Sequence, residues 1–491
     1  MTSFTKIVRS CLNTSGFKLF HHWHYFTCAL MTCLLLGASS SGQAQEKTNF
    51  MIILCDDLGY GDLGCFGNVT IRTPHLDRLA SQGARLTDCY ATAPVCSPSR
   101  AGLLTGRTPN RLGIYDWIPS GHAMHLRKEE ITLASLLKSA GYDTAHIGKW
   151  HCNGKFHSPE QPQPGDHGFN YWFSTQNNAS PTHENPVNFV RNGEKVGPLE
   201  GFSCDIVAEE AIHWLDTVRQ PDKPFFQFVC FHEPHEPIAS PTDLTGQYPE
   251  AKKKGEALYY ANVSNMDRAV GKLMAALDQR QLTGNTVVYF TSDNGPETLN
   301  RYGGAWRSHG SPGPLRGMKL HIYEGGIRVP GIVRWPGKTE AGSVVSEPIS
   351  AVDLLPTFCA EAGVELPIDR TLDGADFRPA FRGESIERRH PLYWHYFSAF
   401  GKPKVAMRSG NWKIAAHWDG PDYPPGSSLR KGQQDIIRSA SLTQFELYNL
   451  REDLSETTDR ASEQPARLKA MASQLKALYD EVRKEAPVWP E

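Results

Sequence analysis

Short runs of consecutive apolar residues alternate along this chain with segments whose apolar residues recur at helical spacing. Asn49 to Cys55 (NFMIILC) is continuous and apolar, the pattern of a strand buried on both faces, and it stops abruptly at Asp56-Asp57. Thr73-Pro74 opens a helix with a hydroxyl cap and proline in the first turn, and Gly83 closes it. Thr132 to Ala140 forms the next helix, stopped by Gly141, with a strand over Thr144 to Ile147. Asp205 to Arg219 sets Val207, Ala211, Trp214, Leu215 and Val218 on one helical face, and Phe225 to Phe231 is a second buried strand. Met266, Val270, Leu273, Met274 and Leu277 mark a long helix, followed by a strand from Thr286 to Phe290. The alternation predicts an α/β fold, a mostly parallel sheet sandwiched by helices.

After Gly383 the pattern changes. The polar stretch Glu384 to Arg389 precedes short aromatic-rich strands at Leu392 to Phe397, Val405 to Arg408, Trp412 to Ala416 and Phe445 to Asn449. An amphipathic helix with Leu468, Met471, Leu475, Leu478 and Val482 follows. The expected organisation is a large unit over 45–385 and a smaller C-terminal one over 386–491, an antiparallel sheet with one helix. The Pro/Gly/Ser-rich segment Asp419 to Ser428 reads as a surface loop inside the latter.

The first 44 residues have a different character. Lys6, Arg9 and Lys18 precede an apolar stretch from Phe26 to Ala38, and small residues stand at Gly42 and Ala44. This is the pattern of an export signal cleaved near Gln45, with a localisation outside the cytoplasm. The apolar run is shorter than the ~20 residues that span a bilayer, so no stable membrane insertion is expected. Composition adds exclusions. Of 491 residues, 40% are apolar and 21% charged, enough for a sizeable core and unlike a disordered chain. Lys+Arg 51 against Asp+Glu 53 leaves a net charge of −2, which gives nucleic acid no basic surface to find. Eleven cysteines are too sparse for a disulfide scaffold, and three of them, Cys11, Cys28 and Cys33, lie in the leader.

Chemistry gathers at the strand ends. Asp56-Asp57 follows one buried strand and Ser292-Asp293-Asn294-Gly295 another, and ligands of open α/β sheets bind beyond such ends. Three carboxylates and an amide brought together there would repel unless a cation sat among them. All are hard oxygen donors, suited to Ca²⁺ or Mg²⁺. The neighbouring Gly59-Tyr60-Gly61-Asp62-Leu63-Gly64 fits G-x-G-x-x-G, but two carboxylates precede it and no clear helix starts at Gly64, so a metal-binding loop suits it better than a dinucleotide.

The most specific stretch is Pro94-Val95-Cys96-Ser97-Pro98-Ser99-Arg100-Ala101-Gly102-Leu103-Leu104-Thr105-Gly106-Arg107, in which Arg100 lies one helical turn from Cys96. It resembles the signature of the formylglycine-dependent sulfatase family, C-x-P-S-R followed by L-T-G-R, of the arylsulfatase and N-acetylgalactosamine-6-sulfatase kind. Gly141-Tyr142-Asp143-Thr144-Ala145-His146-Ile147-Gly148-Lys149-Trp150-His151 resembles the family's second signature. The likeness extends through Thr73-Pro74-His75-Leu76-Asp77-Arg78-Leu79, Glu324-Gly325-Gly326-Ile327-Arg328-Val329-Pro330 and Leu447-Tyr448-Asn449-Leu450.

The resemblance implies an alkaline-phosphatase-like fold and hydrolysis of sulfate monoesters. It implies that a separate maturation enzyme oxidises Cys96 to Cα-formylglycine, whose hydrate supplies the nucleophile. By the same likeness, Asp56, Asp57, Asp293 and Asn294 hold one calcium ion that also touches residue 96. Arg100 steadies the nucleophile, and Lys149 and His151 flank it. His235, in His232-Glu233-Pro234-His235, faces the leaving group, and Lys319 binds sulfate. Electrostatic reasoning agrees with these types, because an anionic ester must have its charge cancelled before it is attacked. Export favours a sulfated carbohydrate as substrate, with aryl sulfates as simple analogues. A phosphate or phosphonate ester hydrolase of the same superfamily and a non-catalytic binder of sulfated glycans are the rival readings. His157, His167, His183 and His309 read as structural. The loop from Arg301 to Arg316, with Trp306, Arg307 and His309, reads equally as a pocket wall or as disordered surface.

Overall fold

The computed structural model describes residues 47–490; the proposed export signal lies outside the described residues. A ten-stranded sheet forms the centre, in the order Ser343–Val345, Ala84–Leu86, Gly331–Arg334, Thr286–Ser292, Asn49–Cys55, Phe225–Cys230, Asp143–Lys149, Tyr171–Thr175, Val190–Arg191, Glu194–Lys195. The five strands from Thr286–Ser292 to Tyr171–Thr175 are parallel to one another. Their runs are apolar because both faces are covered. In the Asn49–Cys55 strand, Phe50, Ile52 and Leu54 enter one core, with Leu103, Leu133 and Phe358 from the helices Cys96–Thr105, Leu133–Ser139 and Leu354–Ala362. The alternate residues Met51, Ile53 and Cys55 enter the other core, with Leu76, Val207 and Val270 from the helices Pro74–Gln82, Ser203–His213 and Lys254–Gln279.

Register brings the acidic strand ends together. Cys55 pairs with Ser292, so Asp56 and Asp293 leave the sheet side by side, and the Asp293 amide donates to the Cys55 carbonyl at 3.1 Å. On the other side Leu54 pairs with Cys230, and Cys230 with Gly148. The His232–His235 turn and Lys149 therefore emerge at the same edge. Gly148 has φ +106°, and a Cβ there would lie 1.8 Å from the Cys230 carbonyl oxygen, so only glycine permits this pairing.

Four antiparallel strands, Leu392–His395, Val405–Ser409, Trp412–Trp418 and Leu442–Asn449, form the second sheet. Met407, Ile414, Ala416 and Leu447 bury against Met471, Leu475, Leu478 and Val482 of the helix Pro465–Glu485. The opposite face carries Trp394, Ala406 and Ala415 onto Val95, Cys96, Leu320 and Ile322. The Trp394 indole N–H also donates to the Ala91 carbonyl at 2.8 Å. The C-terminal sheet thus backs the segment that presents Cys96.

Several details depart from the sequence reading. The 205–219 helix is α-helical only over Ser203–His213 and continues as a π turn, Trp214–Val218. Thr73 makes no side-chain cap; Asp267, from the long helix, accepts from the His75 and Leu76 amides at 3.1 and 2.7 Å instead. The glycine motif is followed by one 3₁₀ turn, Gly64–Phe66, and Asp62 accepts from Tyr259 and Ser311 (2.7 and 2.8 Å) rather than joining the acidic cluster. All eight cysteines after residue 46 are free thiols.

Candidate active site

The helix Cys96–Thr105 begins at residue 96 itself, with Val95 as its extended N-cap residue. Cys96 is buried, and burial pushes its thiol up to about 11 against the opposing pull of Lys149 and Lys319. An unmodified thiol here is therefore a neutral group, not a nucleophilic thiolate. Arg100, one turn on, is buried and held by hydrogen bonds. Its Nη2 lies 2.8 Å from Asp293 Oδ2, and its Nη1 donates to the Lys149 carbonyl at 2.7 Å.

Around this helix start, two lysines meet two aspartates. Lys149 pairs with Asp56, and Lys319 Nζ lies 2.8 Å from Asp57 Oδ2. Asn294 donates from Nδ2 to Asp57 Oδ1 at 2.7 Å, and the Asp57 amide donates to Asp293 Oδ1 at 3.3 Å. The predicted acidic set is thus contiguous. Burial alone would raise Asp56, but Lys149, His235 and Arg100 outweigh it and hold the carboxyl well below its usual range. Asp293 is pushed up to about 7 by burial and by the Asp56 charge, and Asp57 is raised by the same two causes despite Lys319. Three carboxylates are thus crowded together and paired with three protein cations, Arg100, Lys149 and Lys319.

The site residues fit a cation of the hard type. Asp56 Oδ1 and Asn294 Oδ1 are buried oxygens without a hydrogen-bond partner. Asp56, Asp57 and His235 each also offer a ligand atom within 4.8 Å of the others. Orphaned oxygens in a crowded acidic site are what a divalent ion satisfies.

Both flanking histidines have assignable protons, because a carbonyl can only accept. His151 Nε2 lies 3.2 Å from the Ile118 carbonyl and carries the hydrogen, which leaves its buried Nδ1 lone pair unpartnered. His151 is held well below the ordinary histidine range by burial and by Lys149. His235 Nδ1 lies 2.5 Å from the Glu236 carbonyl, so its Nε2 is the free atom, 3.6 Å from Asp57 Oδ2. Burial and Lys319 take His235 down to about 3. His232 is more deeply buried and bonds Thr175 Oγ1 at 2.8 Å, away from the opening.

A cavity of about 390 Å³ opens onto Cys96, His151, His235 and Lys319. Its other lining residues include Trp117, Asn177, Asn178, Arg301, Tyr302 and Gly426; of these, the sequence reading had only Arg301 and Tyr302 in a loop offered as a pocket wall. The Arg301–Arg316 loop reaches the cavity and is tied back to the large unit, the Ser311 amide donating to Asp62 Oδ1 at 2.8 Å. Arg301 lines the cavity, and Arg307 pairs with Glu236 at 2.6 Å beside His235. The Asp419–Ser428 loop is not wholly superficial either, since Gly426 lines the cavity and its carbonyl accepts from the Trp117 indole at 3.1 Å.

Comparison with known proteins adds ancestry to this geometry. The family model described as Sulfatase matches residues 48–364, and one described as N-sulphoglucosamine sulphohydrolase, C-terminal, matches 318–423. Mouse (Mus musculus) steryl-sulfatase is 32% identical over 485 residues, covering 82% of this chain and 76% of its own. Pig (Sus scrofa) N-acetylgalactosamine-6-sulfatase is 33% identical over 427 residues, covering 81% and 79%. The crystal structure of Ps i-CgsB in complex with k-i-k-neocarrahexaose superposes with a TM-score of 0.75 at 28% identity, covering 88% of this chain and 93% of that one.

Proposed function

The chain belongs to the sulfatase family, whose members hydrolyse sulfate esters, and from that premise we propose that it desulfates carbohydrates, using residue 96 as nucleophile beside a calcium ion. The observation that carries the reading is the convergence of Cys96, Lys319 and two histidines of opposite proton assignment on one cavity, with Lys319 and Lys149 paired to an acidic cluster that has orphaned oxygens. The sugar part is supported by the relatives named for N-acetylgalactosamine-6-sulfate and by the neocarrahexaose complex.

In this reading Cys96 is oxidised to formylglycine, whose hydrated aldehyde would supply the attacking hydroxyl. Asp56, Asp57, Asp293 and Asn294 would hold the calcium ion, which supplies concentrated positive charge beside the sulfate. The remaining work falls to the chain's own groups. Lys149 and Lys319 cancel the charge of the incoming ester, and Arg100 keeps Asp293 in place through its paired nitrogens. His235 presents Nε2 to the leaving oxygen, and a bound anion favours its protonated form, the state a general acid needs. His151 presents a bare Nδ1 and serves as base. Export is proposed on the N-terminal pattern alone; no described helix is long and apolar enough to cross a membrane.

The test is a comparison of aryl sulfate with aryl phosphate. The matured enzyme turns over the sulfate at least about a hundredfold faster, and Cys96→Ala, folded by circular dichroism, loses about 10³-fold or more. A preference for phosphate supports the ester-hydrolase rival, and an active Cys96→Ala removes the assigned nucleophile.

A further inference from the structure

The cavity divides by charge. Its inner end holds Cys96, His151, His235 and Lys319, and its outer wall is formed by Trp117, Asn177, Arg301, Tyr302 and Gly426. Arg301 is the one cation among these five wall residues, and it is cancelled. Its Nε and Nη2 lie 2.7 Å from the two Glu297 oxygens, a bidentate pair. Glu297 is buried, accepts from the Thr298 amide at 2.8 Å and stands 3.8 Å from Lys319 Nζ. The outer wall therefore offers no net positive charge.

What the wall does offer is neutral hydrogen bonding. Asn177 Oδ1 is buried and has no partner. Arg301 Nη1 takes no part in the Glu297 pair. It lies 2.9 Å from the point where a Cβ on Gly426 would stand, and Gly426 has φ +70°, so a side chain at 426 would crowd this atom. The Tyr302 ring carries the Arg301 guanidinium at 4.9 Å. An apolar ring would leave the buried Asn177 Oδ1 still unpaired and would strip water from Arg301 Nη1 without replacing it. A ring with a second sulfate or a carboxylate would desolvate that charge against a pair already neutralised by Glu297. Sugar hydroxyls satisfy both groups.

Resting on the sulfated-carbohydrate reading above, we propose that this wall is a sugar subsite. It selects a neutral, hydroxylated ring whose only anionic substituent is the sulfate being removed. Glu297 sets that preference by cancelling Arg301. It touches no substrate in this proposal and acts through the arginine, as a specificity-determining positioning residue.

The test uses the full matured chain and three substrates built on one ring: a monosulfated neutral monosaccharide, the same sugar with a second sulfate, and the same sugar oxidised to a monosulfated uronic acid. Wild type is expected to favour the first over either other by about tenfold or more in kcat/KM. Glu297→Gln uncovers the Arg301 charge and should shrink that ratio about tenfold, mainly through KM for the doubly anionic sugars. Glu297→Gln/Arg301→Gln removes both charges and should restore the wild-type preference; it also controls for loss of packing at position 297. An unmoved ratio in Glu297→Gln, a double variant that behaves like the single one, or a wild type that prefers doubly anionic sugars overturns the proposal. If sugar sulfates of every kind are refused while an aryl sulfate is cleaved, the carbohydrate reading itself fails, and this proposal with it.

Discussion

At the scale of single residues, the histidines show how backbone contacts assign chemical roles. His235 is held by the Glu236 carbonyl, and the Glu236 side chain is held by Arg307 and by the Ile238 amide, at 2.6 and 2.9 Å. Arg307 is thus a positioning residue for the free Nε2 of His235. Arg307→Ala should lower kcat on aryl sulfate about 10- to 100-fold with a much smaller change in KM. Arg307→Lys keeps a charge but not the fork to Glu236, and should recover part of kcat. Equal losses in kcat and stability, without recovery in the lysine variant, would reduce Arg307 to a structural anchor. Most of the candidate site residues that the fold brings together were legible in sequence because their neighbours are distinctive: Cys96 and Arg100 in one signature, Lys149 and His151 in another, the acids at strand ends. Asn177 was not, and Arg301 and Tyr302 were legible only as members of a loop read equally as pocket wall or as surface. A pocket wall is assembled from loops distant in sequence, and no spacing rule marks an asparagine or a tyrosine as part of it.

At the scale of elements, the Trp117 loop is tied to the C-terminal segment through Asp116. Asp116 Oδ1 accepts from Tyr396 Oη and from the Trp117 amide, each at 2.8 Å, while Oδ2 is buried without a partner. Burial pushes this carboxyl up from 3.8 to about 8, so it is protonated in the fold near neutrality. The folded state then holds a proton that the unfolded chain releases. The associated stability is complete below pH 3.8 and is lost as pH rises to about 8. Asp116→Asn keeps the acceptor but does not titrate, and its unfolding free energy should fall less between pH 4 and 8 than that of wild type. Parallel curves from urea titrations at each pH would contradict this. Elements were the easiest level to read from sequence where burial is two-sided, as in NFMIILC. The Tyr171–Thr175 strand and the Leu354–Ala362 helix escaped, since short apolar segments next to long loops carry little periodicity. The π turn after His213 escaped because the apolar spacing of Trp214, Leu215 and Val218 is compatible with a continued α-helix.

At the scale of the whole molecule, a buried ionic cluster joins the C-terminal sheet to the large sheet's loops. Lys413 Nζ lies 3.0 Å from Glu324 and 2.9 Å from Glu456, all three fully buried, and Tyr90 donates to Glu324 at 2.6 Å. Lys413, Arg328 and Arg408 overcome burial and hold Glu324 down at about 2, whereas burial pushes Glu456 up to about 7. Lys413→Met strands a buried carboxylate and should cost about 3–5 kcal/mol of unfolding free energy. A loss below about 1 kcal/mol would show that the cluster does not hold the C-terminal sheet in place. That sheet matters to chemistry because its Trp394 face packs on Val95 and Cys96. The change of pattern after Gly383 announced a second sheet, but not that this sheet supports residue 96; that contact joins residues some three hundred positions apart.

The claim on which the rest depends is that residue 96 reaches its working form by oxidation. Mass spectrometry of the Cys96-containing peptide, from protein purified from its own host, addresses it directly. The expected peptide has lost one sulfur and two hydrogens and gained one oxygen relative to the encoded sequence, and the altered fraction rises with specific activity. A fully active preparation with an intact thiol at Cys96 would contradict the account.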